Sequence, residues 1–251
     1  MTRRQILAWG LHSVRATITH AVEDILELWL KDGRLLDDLA TIESLAAQAG
    51  VAIQRVPWKT LERLTEGAVH QGVVIRRRLP AQMDFEDYVC SVVNAECRPL
   101  LLILDEIQDP QNFGACLRVA DGAGADAVLV GRKNNAAITG TVAKAASGAL
   151  DSVPIIAVSN LARALDQLRI AGLWLVGAVH DAPTTVFDCD FRIPLGVIVG
   201  SERKGLRKLT RSKCDHLVSI PMSGRIPSLN VATATAVMLF EARRQSRNSR
   251  N

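Results

Sequence analysis

Three segments of the chain place amide, hydroxyl, carboxylate or guanidinium groups shortly after an apolar run. The first follows residues 100–104 and contains Asn112 and, six positions later, Arg118. Pro110 stiffens the turn before them, and Asn112 is suited to cap the helix that follows. Amide and guanidinium groups in such a place can hold a phosphate or a sugar hydroxyl. Taken singly, Asn112 also fits a plain helix cap and Arg118 a surface ion pair.

The second and third segments follow residues 195–199 and 217–220 and open into loops rich in glycine and proline. Their candidate residues are Gly200, Glu202, Ile220, Ser228, Leu229 and Asn230. Glycine at the end of a strand allows a ligand to approach the backbone closely. The carboxylate of Glu202 could orient a cation or relay a proton, although it also fits the start of a helix. Ser228 and Asn230 offer hydrogen bonds, and either could be an ordinary helix cap.

The elements that must position these segments alternate regularly beyond residue 97. Apolar runs rich in Leu, Ile and Val cover 100–104, 127–130, 154–158, 173–179, 195–199 and 217–220. Amphipathic helical stretches between or after them cover 112–121, 139–147, 161–170, 204–209 and 229–243. Continuous apolar strands that alternate with helices indicate a parallel sheet covered on both faces. Because ligands bind such sheets beyond the carboxyl ends of the strands, we expect the three segments to meet there.

The whole chain is predicted to be of the α/β class, with two domains. Residues 1–80 are expected to form a small α/β domain, in which 25–31 is a strand and 37–48 a helix. Residues 81–97 are acidic and show no clear period, which indicates a linker with room for one short helix. Residues 98–251 are expected to form the parallel-sheet domain.

Composition excludes several classes of protein. The chain has 251 residues, a net charge of +4 and 48% hydrophobic residues, which excludes a disordered, collagenous or coiled-coil protein. No apolar run approaches the ~18–20 residues of a membrane helix, and the first residues lack the features of a signal peptide. We therefore expect a cytoplasmic protein that binds no membrane. Five cysteines without a Cys-x-x-Cys pair and five scattered histidines predict no metal site.

Two glycine patterns imitate nucleotide-binding motifs. Gly122 and Gly124 match a dinucleotide pattern, but a helix precedes them and a strand follows, so we expect them to end the helix. Residues 200–205 begin like a phosphate-binding loop, but Leu206 and Arg207 stand where Lys and Ser or Thr are required. A nicotinamide-dependent dehydrogenase is therefore disfavoured.

Six basic residues and no acid lie between positions 203 and 213. Arg203, Lys204, Arg207 and Lys208 repeat at four-residue spacing, which in a helix places them on one face. Such a face is either simply solvated or tracks the phosphates of a nucleic acid. We interpret these four residues as candidate RNA contacts.

The three segments together resemble the sequence motifs of the SpoU (TrmH-like) class of SPOUT RNA 2′-O-methyltransferases, from about Leu101 to Glu241. The motifs that carry the resemblance are Asp109-Pro110-x-Asn112-x-Gly114-x-x-x-Arg118 and Ser228-Leu229-Asn230-Val231. Two N-terminal stretches, Trp9-Gly10-Leu-His12-x-Val14 and Gly67-Ala-Val-His70-Gln-Gly72, resemble the substrate-binding domain of the branch that methylates guanosine in bacterial 23S ribosomal RNA. The chain departs from the family pattern at the strongly basic Arg203-Lys204 and at Pro227.

The resemblance implies several properties that the residues alone do not. It implies an N-terminal domain similar to ribosomal protein L30e that binds RNA, with His12 among its contacts, and a C-terminal trefoil knot. It implies S-adenosylmethionine held near Gly200, Ile220 and Leu229. It also implies a homodimer whose site uses residues of both subunits.

The expected reaction is methyl transfer to a ribose 2′-OH of a guanosine in 23S ribosomal RNA, for which the catalytic candidates are Asn112, Arg118, Glu202, Ser228 and Asn230. A guanidinium is neutral too rarely to be a good base. We therefore favour Arg118 as an electrostatic activator of the hydroxyl, with Glu202 orienting it or relaying the proton. The alternatives are a tRNA 2′-O-methyltransferase of the same class and a non-catalytic RNA-binding protein of ribosome assembly.

Overall fold

A computed structural model describes residues 3–34, 37–94 and 98–248 of the chain. Its elements in chain order are β1 (Gln5–Trp9), α1 (Leu11–His20), a 3-10 turn (Val22–Asp24), β2 (Ile25–Lys31), α2 (Asp37–Gln48), β3 (Ile53–Val56), α3 (Trp58–Leu64), β4 (Val73–Arg78), α4 (Phe85–Val93), β5 (Leu100–Asp105), α5 (Pro110–Ala123), β6 (Ala127–Gly131), α6 (Gly140–Ala146), α7 (Ala149–Ser152), β7 (Ile155–Val158), α8 (Leu161–Ile170), β8 (Trp174–Ala178), β9 (Leu195–Gly200), α9 (Lys208–Arg211), β10 (His216–Val218) and α10 (Val231–Asn248).

The chain folds into two compact units. The first combines the chain up to Ala81 with Ala137–Ser152, and the second combines Gln82–Ala136 with the chain from Val153 onwards. The first unit has a four-stranded sheet in the order β1-β4-β2-β3, in which β2 and β3 are parallel and the other pairs antiparallel. The strand at 25–31 and the helix at 37–48 have the predicted bounds.

The segment 137–152 differs from the sequence expectation, because it packs with the N-terminal residues rather than with the parallel sheet. A buried ion pair joins Arg77 of β4 to Asp151 of α7, and Arg77 also donates to Thr17 over 2.8 Å. Both charged side chains are only 2% exposed. A buried charge needs such a partner, so this pair favours one placement of α7 in the first unit.

Gly140, at the start of α6, packs directly against β1. A Cβ atom added there would lie 2.0 Å from the Trp9 ring and 2.4 Å from the carbonyl oxygen of Leu7. We expect Gly140→Ala to lower the free energy of unfolding by about 1–3 kcal/mol or more, because nothing at this contact can move away cheaply. Urea unfolding measures the loss. Gly224→Ala, which would meet no atom within 4 Å, is the control, and equal stability of the two variants would contradict the prediction.

The second unit contains a six-stranded sheet in the order β10-β8-β9-β5-β6-β7. Every pair in it is parallel, so the predicted α/β class with a parallel sheet is confirmed. All six residues of β5 are buried, as a central strand covered on both faces requires. α5 ends at Ala123, with Gly122 inside its last turn and Gly124 in the left-handed region at φ 65°. The prediction that these glycines end a helix is therefore confirmed for Gly124.

Two other expectations change. The segment 81–97 is more than a connection, because Phe85, Tyr88 and Val92 of α4 are buried in the core of the second unit. The helix expected over 204–209 is wrong, since the helix here is only Lys208–Arg211. Residues 201–205 instead form a tight turn closed by a bridge between Ser201 and Gly205. The basic residues therefore do not share one long helical face.

Candidate active site

The three predicted segments form loops at the carboxyl edge of the sheet in the second unit. We call them the first loop (residues 106–109, after β5), the second loop (residues 201–207, after β9) and the third loop (residues 219–230, after β10). The first loop leads into α5, which begins at Pro110, and the third leads into α10, which begins at Val231. Parallel strands carry these loops to one edge, as the alternation of strands and helices predicts.

A chain of side-chain hydrogen bonds connects the start of α5 to the second and third loops. The Asn112 amide nitrogen donates to the Glu202 carboxylate over 2.6 Å. The Asn230 amide nitrogen donates to the Asn112 carbonyl oxygen over 2.8 Å. These bonds span 90 and 118 positions of the sequence. We refer to Asn230, Asn112 and Glu202 as the amide–carboxylate chain. Its direction makes the Glu202 carboxylate a hydrogen-bond acceptor.

Local capping explains why Asn112 is available for this chain. The cap of α5 is Asp109, whose carboxylate accepts from the Asn112 backbone N–H over 2.8 Å. The expectation that Asn112 itself caps the helix is therefore wrong, and its side chain is free to turn toward the second loop. Asn230 does serve as a cap, because its side-chain oxygen accepts from the Ala232 N–H over 2.9 Å. The Asn230 side chain thus caps the start of α10 and is also the outermost donor of the amide–carboxylate chain.

A cavity of about 310 Å³ lies between the second and third loops. Gly200, Ile220 and Leu229, which the resemblance assigns to cofactor binding, all line it. Two catalytic candidates, Glu202 and Ser228, also line it. The cavity therefore combines apolar walls with one carboxylate and the two hydroxyls of Ser201 and Ser228. Three basic side chains, Arg203, Lys204 and Arg211, also line it.

The turn after β9 leaves no room for a side chain at the last residue of that strand, Gly200. A Cβ atom at Gly200 would lie 2.3 Å from the backbone carbon and oxygen of Gly205. Gly205 itself adopts φ 62°, a left-handed conformation that favours glycine. The second loop consequently folds back tightly on itself, and this brings Glu202 to the wall of the cavity.

Arg118 is placed apart from the amide–carboxylate chain. It lies six residues beyond Asn112 on α5, which turns it about 120° away around the helix. Its side chain is exposed, and among the described residues it has no hydrogen-bond or ion-pair partner. The expected contact with Glu202 is not formed within this chain, since Glu202 accepts from Asn112 instead.

The basic candidates divide into paired and unpaired residues. Arg207 donates to the fully buried Asp105 over 2.7 Å, so it is not an unpaired surface cation. Arg203, Lys204 and Lys208 are exposed, and their side chains have no partner within the described ranges. His12 lies exposed on α1 of the first unit, also without a partner there.

Cysteine and metal chemistry have little support at this site. Burial raises the pKa of Cys116, on α5 near Thr235, to about 11, which keeps the thiol protonated at neutral pH. Across the part of the chain that the structure describes, no three His, Cys, Asp or Glu side chains cluster closely enough to hold a metal ion.

None of the described helices is both long and apolar enough to cross a membrane.

Comparison with known families agrees with this geometry. The model for the SpoU rRNA methylase family matches residues 99–240. A second model, for an RNA 2′-O ribose methyltransferase substrate-binding domain, matches residues 7–81. The chain belongs to the SpoU rRNA methylase family.

Curated relatives share nearly the full length of the chain. A protein of Shewanella oneidensis, 23S rRNA (guanosine-2′-O-)-methyltransferase RlmB, is 41% identical over 249 residues, covering 98% of this chain and 100% of its own. The protein of the same name from Pseudomonas putida is 43% identical over 238 residues, covering 94% of this chain and 95% of its own. The similarity thus extends across both units.

Solved structures share the fold. The SpoU methyltransferase AviRb from Streptomyces viridochromogenes, in complex with the cofactor AdoMet, is 26% identical with a TM-score of 0.77, covering 98% of this chain and 91% of that one. A structure concerned with 2-OH methylation on tRNA has a TM-score of 0.55 at 25% identity, covering 60% of this chain and 98% of that one. The match to the tRNA-related structure leaves two fifths of this chain uncovered.

Sequence reasoning missed two residues of the site. Asp109 was assigned to the family motif but not to the helix cap, although an Asp directly before Pro110 is a recognisable capping signal. Asp105 follows directly after the apolar run 100–104 and was not among the candidate residues. Its role depends on Arg207, 102 positions away, and no local pattern reveals that pair.

Proposed function

We propose that this protein transfers a methyl group from S-adenosylmethionine to the ribose 2′-OH of a guanosine in 23S ribosomal RNA. The observation that carries the proposal is the amide–carboxylate chain, whose Glu202 lines the 310 Å³ cavity. This arrangement occurs in a chain of the SpoU rRNA methylase family, whose similarity to 23S rRNA methyltransferases covers both units.

The residues of the cavity fit S-adenosylmethionine. Its volume of about 310 Å³ lies within the ~300–1,000 Å³ of small-molecule sites. The backbone near Gly200, Ile220 and Leu229 would hold the cofactor, and Glu202 is the carboxylate that lines the cavity. When bound, the cofactor supplies a methyl group that is already activated on a sulfonium. Glu202 and its partner Asn112 would orient the acceptor ribose beside it.

The protein must then align the reacting atoms and assist loss of the 2′-OH proton. Alignment contributes up to ~7–11 kcal/mol in such reactions. Ser228 and Asn230 position the ribose by hydrogen bonds, and Arg118 binds the adjacent phosphate or the hydroxyl itself. A bidentate guanidinium contact lowers the pKa of the hydroxyl without requiring a neutral arginine. Glu202, which accepts from Asn112, is the group available to take up the proton.

Arg118 reaches the site from a second copy of the chain in this proposal. Its exposed side chain has no partner among the described residues of its own chain, and it points about 120° away from Asn112 around α5. A homodimer with sites built from both subunits accounts for this placement. We include in the proposal the trefoil knot that the family resemblance implies and a cytoplasmic location, where ribosomal RNA is found.

RNA recognition is assigned to both units. In the first unit, the matched substrate-binding model and the exposed His12 support contact with RNA. In the second, Arg203, Lys204 and Lys208 provide unpaired positive charge near the cavity. Phosphate and 2′-OH contacts of this kind recognise the shape of an RNA.

Lys208 is expected to contribute to binding through RNA phosphates. Lys208→Ala should reduce the slope of log K against log salt concentration by about 1, with no change in S-adenosylmethionine affinity. Filter binding to a 23S rRNA fragment at several salt concentrations measures the slope. Lys213→Ala is the matched control, because Lys213 is already paired with Asp166 over 2.7 Å. An unchanged slope in Lys208→Ala would assign that residue to a merely solvated surface.

The function is tested by incubating the purified protein with radiolabelled S-adenosylmethionine and either 23S rRNA or tRNA. We expect label in 23S rRNA, at a guanosine that becomes resistant to alkaline cleavage on its 3′ side. Label in tRNA alone would favour the tRNA methyltransferase alternative. Failure to bind S-adenosylmethionine in a calorimetric titration would overturn the enzymatic proposal and favour an RNA-binding protein of ribosome assembly.

A further inference from the structure

Asp105, the last residue of β5, holds both ends of the second loop. In the parallel ladder Asp105 is paired with Gly200, the residue just before the loop. At the other end of the loop, its two carboxylate oxygens accept from the Arg207 backbone N–H over 3.0 Å and from Arg207 Nε over 2.7 Å. The carboxylate is 0% exposed, so it depends on these donors.

The residues between these two ends line the cavity, whereas Arg207 does not. The turn is short, and the Gly205 N–H donates back to the Ser201 carbonyl over 2.8 Å. A loop of this length with both ends fixed has few alternative conformations. The position of Glu202 therefore depends on the hydrogen bonds that Arg207 donates to Asp105.

Glu106 reinforces the same attachment. It adopts φ 63°, an unfavourable left-handed conformation for a residue other than glycine. Its carboxylate lies 3.4 Å from the Arg207 guanidinium and accepts from the Asn134 amide over 2.9 Å. Asp105 at the end of β5 and Glu106 at the start of the first loop thus both bind Arg207 at the end of the second loop.

We propose that Asp105 and Arg207 form a positioning pair that fixes the second loop for binding S-adenosylmethionine, and that Arg207 does not contact RNA. The inference rests on the proposed function, because it names S-adenosylmethionine as the ligand of the cavity. It replaces the expectation that Arg207 is an RNA-binding residue. The pair acts through the loop, since neither side chain lines the cavity.

The test measures two properties of full-length Arg207→Ala, namely calorimetric affinity for S-adenosylmethionine and the salt dependence of RNA binding. We expect the affinity to fall about 10- to 100-fold, as loss of a charge-assisted hydrogen bond implies, and the salt slope to stay as in the wild type. Arg207→Lys should recover part of the affinity, because an ammonium can still meet one oxygen of Asp105. A general loss of stability would give no such rescue.

Lys213→Ala is the control, because it also breaks an ion pair of the second unit but lies outside the loop. Asp105→Asn should weaken S-adenosylmethionine binding as Arg207→Ala does, and the double variant should be no weaker than either single variant. If Asp105→Asn fails to fold, the half-exposed Arg207 still permits the test. Unchanged affinity with a salt slope reduced by about 1 in Arg207→Ala would overturn the proposal. Failure of the wild type to bind S-adenosylmethionine would instead overturn the proposed function.

Discussion

Arg118→Ala is expected to slow single-turnover methyl transfer about 100- to 1,000-fold, the usual effect of removing a group that stabilises charge developing in the transition state. S-adenosylmethionine affinity should be unchanged, because in the proposal Arg118 contacts the acceptor phosphate or hydroxyl and not the cofactor. Arg118→Lys should restore little of the rate, since an ammonium cannot replace the bidentate fork. Rapid-quench measurement with saturating cofactor and RNA gives the rate. Near wild-type rates in both variants would contradict the role assigned to Arg118.

The same residue allows a test of the two-subunit site. Arg118→Ala and Gly200→Ala protomers are each inactive in this scheme, one for lack of the guanidinium and the other for lack of the cavity. A heterodimer of the two would regain one complete site, so an equal mixture that exchanges subunits freely should reach about a quarter of wild-type activity. No recovery after subunit exchange would place Arg118 and the cavity of one chain in the same site.

Gly200→Ala is expected to weaken S-adenosylmethionine binding at least about 100-fold. The added Cβ would lie 2.3 Å from the backbone of Gly205, and backbone cannot move aside without opening the second loop. Calorimetric titration measures the loss. Gly224→Ala in the third loop is the control, because its Cβ would meet nothing within 4 Å. Equal affinity in the two variants would contradict the tight turn as a requirement for cofactor binding.

Much of the sheet could be predicted from the sequence, since each buried strand is a short apolar run. Strands such as 100–105 and 195–200 lie within a residue of the predicted bounds. The convergence of the three loops followed from the rule that parallel strands carry their carboxyl ends to one edge. The same rule predicts that the segments with Glu202, Asn112 and Asn230 lie close together, although the sequence contains no distances.

The remaining features depend on partners far away in the sequence. The Arg77–Asp151 pair spans 74 positions and the Asp105–Arg207 pair 102, and neither has a local pattern. The helix predicted over 204–209 followed four-residue spacing of charges, but spacing cannot reveal that Gly200 and Gly205 require a tight turn. The first strand, Gln5–Trp9, was not predicted. It is a short edge strand that pairs with β4 (Val73–Arg78), which lies far away in the sequence.

The hydrogen bond between Asn230 and Asn112 joins residues 118 positions apart, and α10 follows immediately after it. During synthesis, neither this bond nor the cavity can be completed until residues as late as Ala234, which lines the cavity, have left the ribosome. Binding of S-adenosylmethionine would report on the final stage of folding, and an unfinished nascent chain would have no capacity to modify RNA.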